Sequence, residues 1–597
     1  MAHKKIYIRN RIQRWHLVLF LVALTALLII SASGLSAVFR PGTADLGETA
    51  APSSLTPETD TLNRMRLTDN RELYTQYPPD DVVNIFVTVY TGTDPATGII
   101  YDFDKMNTIR TKEEGNPALK ATVKIEDPAV PGKYIVGGEA VTPNCLISQR
   151  GDSARLYSNK SYKIKIFDDE GTFRGQSVLN LNKHMNDDSR IRQKYCFDWL
   201  AQFEDMVSLR TTFVRLYVMD ATKGENVYAD YGLFTHVEQP NRDFMSSHGL
   251  DVNGTLYKPD DFEFFREEDV ILPEDDPGYD YELFSQLLRI RENSDNVKLI
   301  KMLDDVNDMS LDFNEVFARY FDLDNYLTWI AANILFDNYD TMSRNFMLYS
   351  PANSDKWYFL PWDYDGTFVR PEEEENRYGF HGISRYYGSV LHKRFFRNPE
   401  NLALLESKLD ELKALMTAEK SMEMMSLYIN AIRPVLKYGA DIKNYGGPEG
   451  YESSILREAV FDSLTEYYYN RYYSTKGKPM PFFLGVPQKQ TQSDGAVRWR
   501  FNWEPTYDLQ GDAVTYSFQI SESILFDSFI YREDDLYITE ILIGELGPGI
   551  YYWRVIVADE SGNTQIPYDY VRLNENDPQY MNVGSHKIFG CRRLVIE

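Results

Sequence analysis

Acidic and amide side chains flank a predicted β-hairpin within residues 336–368. Two short aromatic runs, residues 346–349 and 357–360, are separated by a turn rich in Ser, Pro, Asn and Asp, which is a hairpin signal. Antiparallel strands bring the start of one strand beside the end of the next. We therefore expect four polar side chains to lie within a few ångströms of one another at one end of the hairpin. They are Asp340, Asn345, Asp363 and Asp365.

The spacing of these residues suits metal binding and the orientation of a hydroxyl group. Asp340 and Asn345 are five residues apart. Protein kinases use this Asp-x-x-x-x-Asn spacing to orient the acceptor hydroxyl and to hold a metal ion, and an Asp after the next hairpin, here Asp363, binds the metal from the other side. Mg²⁺ prefers a few carboxylate or carbonyl oxygens together with phosphate oxygens. The alternative is that these residues only form turns, since Asp-x-Asp-Gly is a common turn sequence.

The same stretch resembles a known family. The resemblance is carried by Asn338-Tyr339-Asp340, Asn345-Phe346, Leu348-Tyr349 and Pro361-Trp362-Asp363-Tyr364-Asp365. These segments are similar to those of the spore coat protein H (CotH) kinase family, whose members are similar to atypical, often secreted, kinases. The resemblance implies a two-lobed, protein-kinase-like α+β domain that uses ATP and Mg²⁺ (or Mn²⁺). It also implies that Asp340 is the catalytic carboxylate and that Asn345, Asp363 and Asp365 are metal ligands.

A polar loop and a lysine-bearing strand precede the hairpin in the chain. Residues 147–155 contain Arg150, and residues 160–166 alternate strictly, with Lys163 and Lys165 on one face. Alternating lysines by themselves indicate a solvated strand face. The family has a similar Arg-Gly-x-Ser loop that covers the ATP phosphates and a strand lysine that pairs with them. The resemblance therefore implies that Arg150 and one of the lysines bind ATP, and we choose Lys163.

Further polar residues bear on the proposed nucleotide site. Arg192 opens a predicted helix over residues 191–203, with Asp188 or Ser189 as its cap, and its guanidinium could bind a phosphate or a carboxylate through two N–H groups. Glu238 ends a strand where relatives carry Glu-Gln, at a connection between lobes where an adenine ring can bind. A plain strand-end carboxylate is the alternative for Glu238.

Two more positions follow from the resemblance. Asp152 stands where many relatives carry Asn, and it adds a negative charge near the proposed phosphates. Lys258 fits the family pattern and supplies another basic residue.

Composition excludes several classes of protein. Lys and Arg number 63 against 89 Asp and Glu, a net charge of −26, which disfavours nucleic acid as a partner and requires a local basic lining for any nucleotide. Three cysteines do not make a disulfide framework, and we expect them to be buried apolar residues. Zinc is disfavoured because the 8 His form no Cys/His cluster at ligand spacing.

The N-terminus carries a membrane signal. Basic residues precede an uncharged run over residues 17–39, which exceeds the roughly 20 residues that span a bilayer core. The basic flank should stay in the cytoplasm, which predicts a single-pass membrane anchor within residues 1–40 and an extracytoplasmic main body. A cleaved signal peptide, with secretion, is the alternative. Residues 41–80 lack apolar periodicity and are predicted to be a flexible linker.

Two folded domains are predicted beyond the linker. Residues 81–475 would form the CotH-like kinase domain, with a helical pattern over residues 282–334. A composition break precedes residues 482–597, which read as all-β. Their alternating strands and inward Trp resemble a fibronectin type III domain, an immunoglobulin-like sandwich that usually binds or spaces.

The sequence thus predicts an extracytoplasmic atypical protein kinase. It would transfer the ATP γ-phosphoryl group to hydroxyl side chains of a protein at the cell surface or envelope. One alternative is a non-catalytic surface or spore-coat module that keeps the fold for adhesion. Another is a metal-dependent hydrolase that uses the same carboxylates. The hydrolase lacks support because the sequence has no His cluster, and simple calcium binding lacks it because EF-hand spacing is absent.

Overall fold

The computed structural model describes residues 67–138, 140–184, 187–370, 380–491, 495, 497–573 and 587–597. The chain divides into two compact units. One is Arg66–Gly477, and the described residues of the other lie within Lys478–Glu597.

The prediction of an N-terminal transmembrane helix is corrected. Crossing the hydrocarbon core takes about 20 predominantly apolar helical residues, and none of the helices in the described ranges meets that length and apolarity. The run of residues 17–39 that carried the prediction lies outside the described residues, as does the linker up to residue 66. The membrane-anchored, single-pass location is therefore not retained.

The first unit begins with short and long strands. In chain order they are β1 (Val82–Val89), β2 (Gly92–Thr93), β3 (Ile100–Tyr101), β4 (Ala118–Glu126), β5 (Tyr134–Val136), β6 (Cys145–Gln149), β7 (Tyr162–Ile166), β8 (Val178–Asn182), β9 (Thr211–Asp220) and β10 (Ala229–Val237).

Seven of these described strands form a closed sheet. The order is β1-β9-β10-β8-β7-β6-β4, and β4 pairs back with β1, with Val87 opposite Val123. The pairing of β1 with β9 is parallel, and the other pairings in the ring are antiparallel. Closing the ring leaves no free edge on β1 or β4. The closed sheet replaces the small lobe of the predicted two-lobed kinase-like domain, so the predicted fold class is wrong here, although the mixture of α and β structure is observed.

Strand β7 shows how the pattern of residues positions the site. Tyr162, Ile164 and Ile166 are buried inside the closed sheet, among Val, Ile and Leu side chains of the neighbouring strands. The two lysines between them are exposed on the outer face. The strict alternation of the sequence is therefore the alternation of core and solvent, as a strand with one buried face requires.

A second, smaller sheet carries the predicted hairpin. Its strands follow the order β12-β11-β13-β14. They are β11 (Thr255–Pro259), β12 (Leu288–Ile290), β13 (Phe346–Ser350) and β14 (Tyr358–Pro361). The hairpin prediction is confirmed, because β13 and β14 pair antiparallel from Phe346 opposite Pro361 to Tyr349 opposite Tyr358. Strand β12 lies inside residues 282–334, for which a helical pattern was predicted.

Helices make up most of the rest of this unit. They are Phe103–Thr108, Arg192–Leu200, Arg242–His248, Tyr281–Phe284, Asn296–Asn307, Phe313–Tyr320, Leu323–Leu335, Ile383–Tyr386, Val390–Phe396, Pro399–Leu415, Ala418–Tyr438, Pro448–Glu458 and Phe461–Lys476. The helix Leu323–Leu335 is capped by Asp322, whose side chain accepts a hydrogen bond from Asn325 N. It is buried along most of its length and leads directly into the loop of Asp340.

The second unit is built from short strands. They are β15 (Gln488–Thr491), β16 (Val497–Asn502), β17 (Val514–Ser521), β18 (Tyr531–Leu536), β19 (Glu540–Ile543), β20 (Gly549–Asp559), β21 (Thr564–Gln565), β22 (Tyr570–Arg572), β23 (Lys587–Phe589) and β24 (Arg592–Ile596). One sheet has the order β15-β16-β19, and in another β20 pairs with β17, β21 and β24, while β18 pairs with β17. Side chains of both sheets share one core, in which the fully buried Trp553 packs 5.0 Å from Phe501 between ring centroids.

Candidate active site

The hairpin brings the predicted acidic residues together at one end. Asn345 immediately precedes β13, and Asp363 follows β14 by one residue. Both have left-handed backbones, with φ of 60° and 62°. Asn and Asp enter this region more readily than most residues, and such outliers cluster at functional sites. Asn345 Nδ2 donates a hydrogen bond to Asp340 Oδ2 at 3.0 Å, so the Asp-x-x-x-x-Asn pair forms a direct contact.

The carboxylate of Asp340 is half-exposed, and its surroundings shift its pKa. The surrounding protein raises its pKa above the ordinary value, and the charge of Asp363 adds to this effect. Arg344, whose Nε lies 3.8 Å from Asp340 Oδ1, acts in the opposite direction, as does the hydrogen bond from Asn345. A carboxylate with a raised pKa is a better proton acceptor than an ordinary one, which suits a general base.

Asp365 lies next to this pair in the short 3₁₀ segment Tyr364–Gly366. Its side chain reaches solvent but lies in a recess crowded by protein. The reduced access of bulk water and the charge of Asp363 raise the pKa of Asp365 to about 8, while Arg192 opposes this shift. The charge of Asp363 disfavours the charged form of Asp365, and a divalent cation would relieve their repulsion.

The glycine of the Asp-Tyr-Asp-Gly segment is required by close packing. A Cβ at Gly366 would lie 2.7 Å from Cε1 of Tyr339, whose backbone N donates to Gly366 O at 3.4 Å. The contact joins the loop that carries Asp340 to the loop that carries Asp363.

Gly366→Ala is therefore expected to destabilise the protein. The added methyl group must displace the Tyr339 ring, and overpacking of this kind costs about 1–3 kcal/mol of unfolding free energy. Urea unfolding measures the change. Gly477→Ala is the matched control, because a Cβ there meets nothing within 4 Å. An equal, small effect of both substitutions would contradict the proposed packing role of Gly366.

Cationic side chains face the acidic end of the hairpin. The Arg150 guanidinium lies over the Trp362 ring, 5.9 Å from its centroid. Burial lowers the pKa of Arg150 to about 10, and Asp363 and Asp365 oppose that shift, which places Arg150 in the field of both carboxylates. Burial also lowers the pKa of Lys163, as do the charges of Arg291 and Arg150. Lys163 thus lies in the field of the same cations as Arg150, and the choice of Lys163 over Lys165 stays a prediction.

The loop that carries Arg150 is held by a second, buried arginine. Arg155 donates from Nε to Gly151 O at 3.0 Å and from Nη2 to Asn116 Oδ1 at 2.6 Å. Asp152, at the tip of the loop, pairs with Lys112 at 2.5 Å and with Arg289 at 3.5 Å. The negative charge that Asp152 adds near the proposed phosphates is therefore compensated by two cations.

The small sheet carries Lys258, which the family resemblance suggested, and adds Arg289 and Arg291, which the sequence did not single out. Lys258 on β11 lies directly opposite Arg289 on β12, and Arg291 follows two residues later. The sequence signal for Arg289 and Arg291 was the alternation in Leu-Arg-Ile-Arg, which the helical prediction for this stretch obscured. Burial and Arg291 lower the pKa of Lys258 to about 8, whereas Asp363 opposes this shift.

Arg192 connects the acidic loop to the helical part of the unit. Its Nη1 donates to Asp365 O at 3.2 Å, and its Nη2 donates to Glu458 Oε2 at 3.1 Å. The guanidinium thus positions the Asp365 backbone and binds the Glu458 carboxylate, whereas binding of a phosphate by Arg192 stays a prediction. The capping prediction for its helix is wrong: the carboxylate of Asp187, not Asp188 or Ser189, accepts from Arg192 N at 3.0 Å. Asp188 instead pairs with Arg457 at 3.1 Å.

Gln193 supports Asp363 from the same helix. Its Nε2 donates to Asp363 Oδ1 at 3.4 Å, and its Oε1 accepts from Asn182 Nδ2 at 2.8 Å. These two hydrogen bonds connect Asn182 of the closed sheet, through Gln193, to the proposed metal ligand Asp363.

Glu238 is fully buried in an ion cluster. Arg210 Nε lies 3.0 Å from Glu238 Oε1, and His248 Nε2 lies 3.1 Å from Glu238 Oε2. His248 Nδ1 in turn contacts Asp69 Oδ1 at 2.7 Å. Burial disfavours the charged carboxylate, but His248 and Arg210 outweigh it and lower the pKa of Glu238 to about 2. Both carboxylate oxygens thus have partners within the protein. This arrangement agrees with the alternative that Glu238 is a plain strand-end carboxylate rather than a nucleotide contact.

This cluster predicts a specific pH dependence of stability. Burial opposes protonation of His248, but Glu238 and Asp69 outweigh it and raise its pKa. The protonated imidazole therefore stabilises the fold fully below the unfolded pKa of about 6.5, and the stabilisation is lost as pH rises through the folded value. Wild type should have a higher free energy of unfolding than His248→Gln, and this difference should shrink between pH 7 and 9. The decrease is about 1.4 kcal/mol for each unit by which folding raises the pKa of His248.

Urea unfolding at several pH values tests this expectation. His392→Gln is the control, because burial lowers the pKa of His392 to about 3. That imidazole is neutral in the folded state and mostly neutral in the unfolded state from pH 7 to 9, so the cost of its substitution should change little over this range. Parallel curves for wild type and His248→Gln over the same range would contradict the predicted charge of His248.

The donor set suits Mg²⁺ completed by a ligand. Among the described residues no group of three or more His, Cys, Asp or Glu side chains is arranged to hold a metal by itself. Asp363 and Asn345 would supply a few oxygens, and phosphate oxygens and water would complete the coordination that Mg²⁺ prefers. The three cysteines are buried thiols without a disulfide, as expected from the sequence.

Comparison with known proteins agrees with the sequence resemblance. The family model described as CotH kinase protein matches residues 147–473, more than half of the 597 residues. The matched region includes the Arg150 loop, β7 and the hairpin. The chain is also similar to the inner spore coat protein H of Bacillus subtilis (strain 168), at 26% identity over 300 residues, which are 48% of this chain and 76% of that protein. The chain therefore belongs to the CotH kinase protein family.

Proposed function

We propose that this protein is an ATP-dependent protein kinase. It transfers the γ-phosphoryl group to Ser, Thr or Tyr hydroxyls of a coat or secreted protein. One observation carries the proposal: the contact of Asp340 with Asn345 lies beside Asp363, Arg150 lies in the field of Asp363 and Asp365, and Lys163 lies near Arg150. A site of opposed charge suits a metal-bound polyphosphate, whose phosphates need cations and whose metal needs carboxylates.

The chain's own residues divide the chemistry between them. Asp340 accepts a hydrogen bond from the acceptor hydroxyl and takes up its proton as the acceptor oxygen bonds to the γ-phosphorus. The bond between that phosphorus and the β–γ bridging oxygen breaks, and ADP leaves with the electron pair. Arg150 and Lys163 hold the phosphates in line. Asn345, Asp363 and Asp365 would hold Mg²⁺ (or Mn²⁺), which when bound neutralises charge on the phosphate oxygens.

The proposed partner is a protein of the spore coat. The Bacillus subtilis relative is named as an inner spore coat protein, which supports a coat or extracellular location for this chain. The second unit is proposed to bind or space as a fibronectin type III-like module. Its support is the order β18-β17-β20-β24 in one sheet and β15-β16-β19 in the other, with the buried Trp553 in the shared core.

The test is transfer of labelled γ-phosphate by the full chain. ATP, Mg²⁺ and a broad panel of acceptors, including extracted coat proteins, are incubated with wild type, and incorporation into protein is measured. Incorporation that requires both Mg²⁺ and ATP supports the kinase. No incorporation into any acceptor would favour a non-catalytic coat module with the same fold.

A further inference from the structure

Several of the most deeply placed cations in the described part of this acidic protein have a carboxylate partner. Arg210 pairs with Glu238, Arg385 lies 2.7 Å from Asp337, and Lys183 lies 2.8 Å from Asp441. Such pairing is expected, because an uncompensated charge is costly to remove from water. A cation that lacks a partner inside a cleft therefore indicates where a ligand supplies the negative charge.

Two cations of the small sheet lack such a partner. Within the described residues, the side chains of Lys258 and Arg291 make neither a hydrogen bond nor an ion pair, and Arg291 Nε is a buried donor without an acceptor. Their neighbour Arg289 differs, since it pairs with Asp260 at 2.7 Å and with Asp152 at 3.5 Å. Burial lowers the pKa of Arg291, and the charge of Arg289 lowers it further.

The strand register directs these cations to the same face. Lys258 lies opposite Arg289, and residues opposite each other in neighbouring strands share a face of the sheet. Arg291 is two residues beyond Arg289, and residues two apart in extended chain also share a face. Its backbone N donates to Leu256 O at 2.9 Å, which continues the ladder past the end of β12.

This face is turned toward the loop that carries Arg150, because Arg289 on it lies 3.5 Å from Asp152 of that loop. The charge of Arg291 lowers the pKa of Lys163 and of Arg150, and Lys258 lowers the pKa of Asp340. Cations of the closed sheet and of the small sheet therefore act on the same volume beside Asp363. An anion bound between them would relieve their mutual repulsion.

We infer that Lys258 and Arg291 form the second half of a polyphosphate-binding site, opposite Arg150 and Lys163. This inference rests on the proposed function for the identity of the ligand as the triphosphate of ATP. The phosphate chain would lie between the two sheets, and neither sheet would bind it well alone. Arg291 can donate two parallel N–H groups to one phosphate, whereas Lys258 acts as a point charge.

Binding measurements test the inference without relying on transfer. Isothermal titration of the full chain with ATP·Mg²⁺, with inorganic tripolyphosphate and with adenosine compares wild type with Arg291→Gln. We expect the substitution to weaken ATP·Mg²⁺ and tripolyphosphate by about 10- to 100-fold, the range for a charged hydrogen bond. Adenosine affinity should be unchanged, because adenosine carries no phosphate.

Two further variants keep the result interpretable. Arg319→Gln removes the same charge from an exposed helix position, where Arg319 pairs with Asp305, and it should change neither phosphate ligand's affinity by more than about twofold. Arg291→Lys keeps the charge and loses the fork, and it should bind with intermediate affinity even if Arg291→Gln does not fold.

The outcomes separate this inference from the proposed function. Equal binding of tripolyphosphate and ATP·Mg²⁺ by wild type and the Arg291 variants overturns the inference, as does failure of wild type to bind either. Binding that depends on Arg291 in a protein that transfers no phosphate to any acceptor supports the inference and overturns the kinase.

Discussion

Asp340→Asn is expected to lower phosphoryl transfer by about a hundredfold or more, with the affinity for ATP·Mg²⁺ nearly unchanged. Asn keeps the size of the side chain, and its carbonyl oxygen can still accept the 3.0 Å hydrogen bond from Asn345 Nδ2. What disappears is the negative charge that would accept the proton of the acceptor hydroxyl. The nucleotide contacts proposed above belong to other residues, so binding should survive.

Labelled-phosphate transfer and isothermal titration, with wild type and variant side by side, measure the two quantities. Asp304→Asn is the matched control, because this exposed carboxylate pairs with Arg266 on the surface. Transfer by Asp340→Asn at the wild-type rate would leave Asp340 as a turn residue, for which Asn serves about as well. A parallel loss of ATP·Mg²⁺ affinity would instead assign Asp340 to the metal.

Asp363→Ala is expected to abolish the metal-dependent part of nucleotide binding. Asp363 follows the hairpin at the end where Asn345 begins it, and its Oδ1 is oriented by Gln193. Removing it takes away one of the two proposed carboxylate ligands and leaves only Asn345 and Asp365 to hold the ion. The gain in ATP affinity that Mg²⁺ confers on wild type should disappear, a change of about a hundredfold or more if the ligand is essential.

Titration of ATP with and without Mg²⁺ measures that gain directly. Gln193→Leu provides an internal comparison: it keeps the carboxylate but removes its hydrogen bond, so it should reduce the gain by about 10- to 100-fold without eliminating it. Unchanged ATP·Mg²⁺ affinity in Asp363→Ala would remove Asp363 from the metal site. Loss of binding equally with and without Mg²⁺ would point to a disturbed fold.

The features that the sequence predicted well are local. The hairpin followed from two aromatic runs and a polar turn within a few residues, and its register places Asn345 and Asp363 at one end as expected. The burial pattern of β7 followed from strict alternation. Such patterns report the immediate chain geometry, in which a period of two means a strand with one buried face.

The features that the sequence missed depend on distant parts of the chain. Closure of the sheet requires β1 to pair with β4 as well as with β9, and each pairing joins segments far apart in sequence. No local pattern distinguishes an open edge from a closed ring, because the alternation within β1 is the same in both. The predicted two-lobed kinase-like domain therefore failed at the step that only long-range pairing decides.

The same reason separates the site residues that were foreseen from those that were not. The acidic group came from one contiguous stretch, so its spacing was visible. Lys258 was named from the family resemblance, but Arg291, just past the end of β12, was not, and only the β11–β12 register puts the two on one face. Glu238 looked available at a strand end, yet Arg210 and His248 contact its carboxylate, and Asp69 contacts His248. The sequence by itself determined the hairpin and its carboxylates; the tertiary structure decided which cations face them, because partners for buried charges are chosen by packing rather than by spacing.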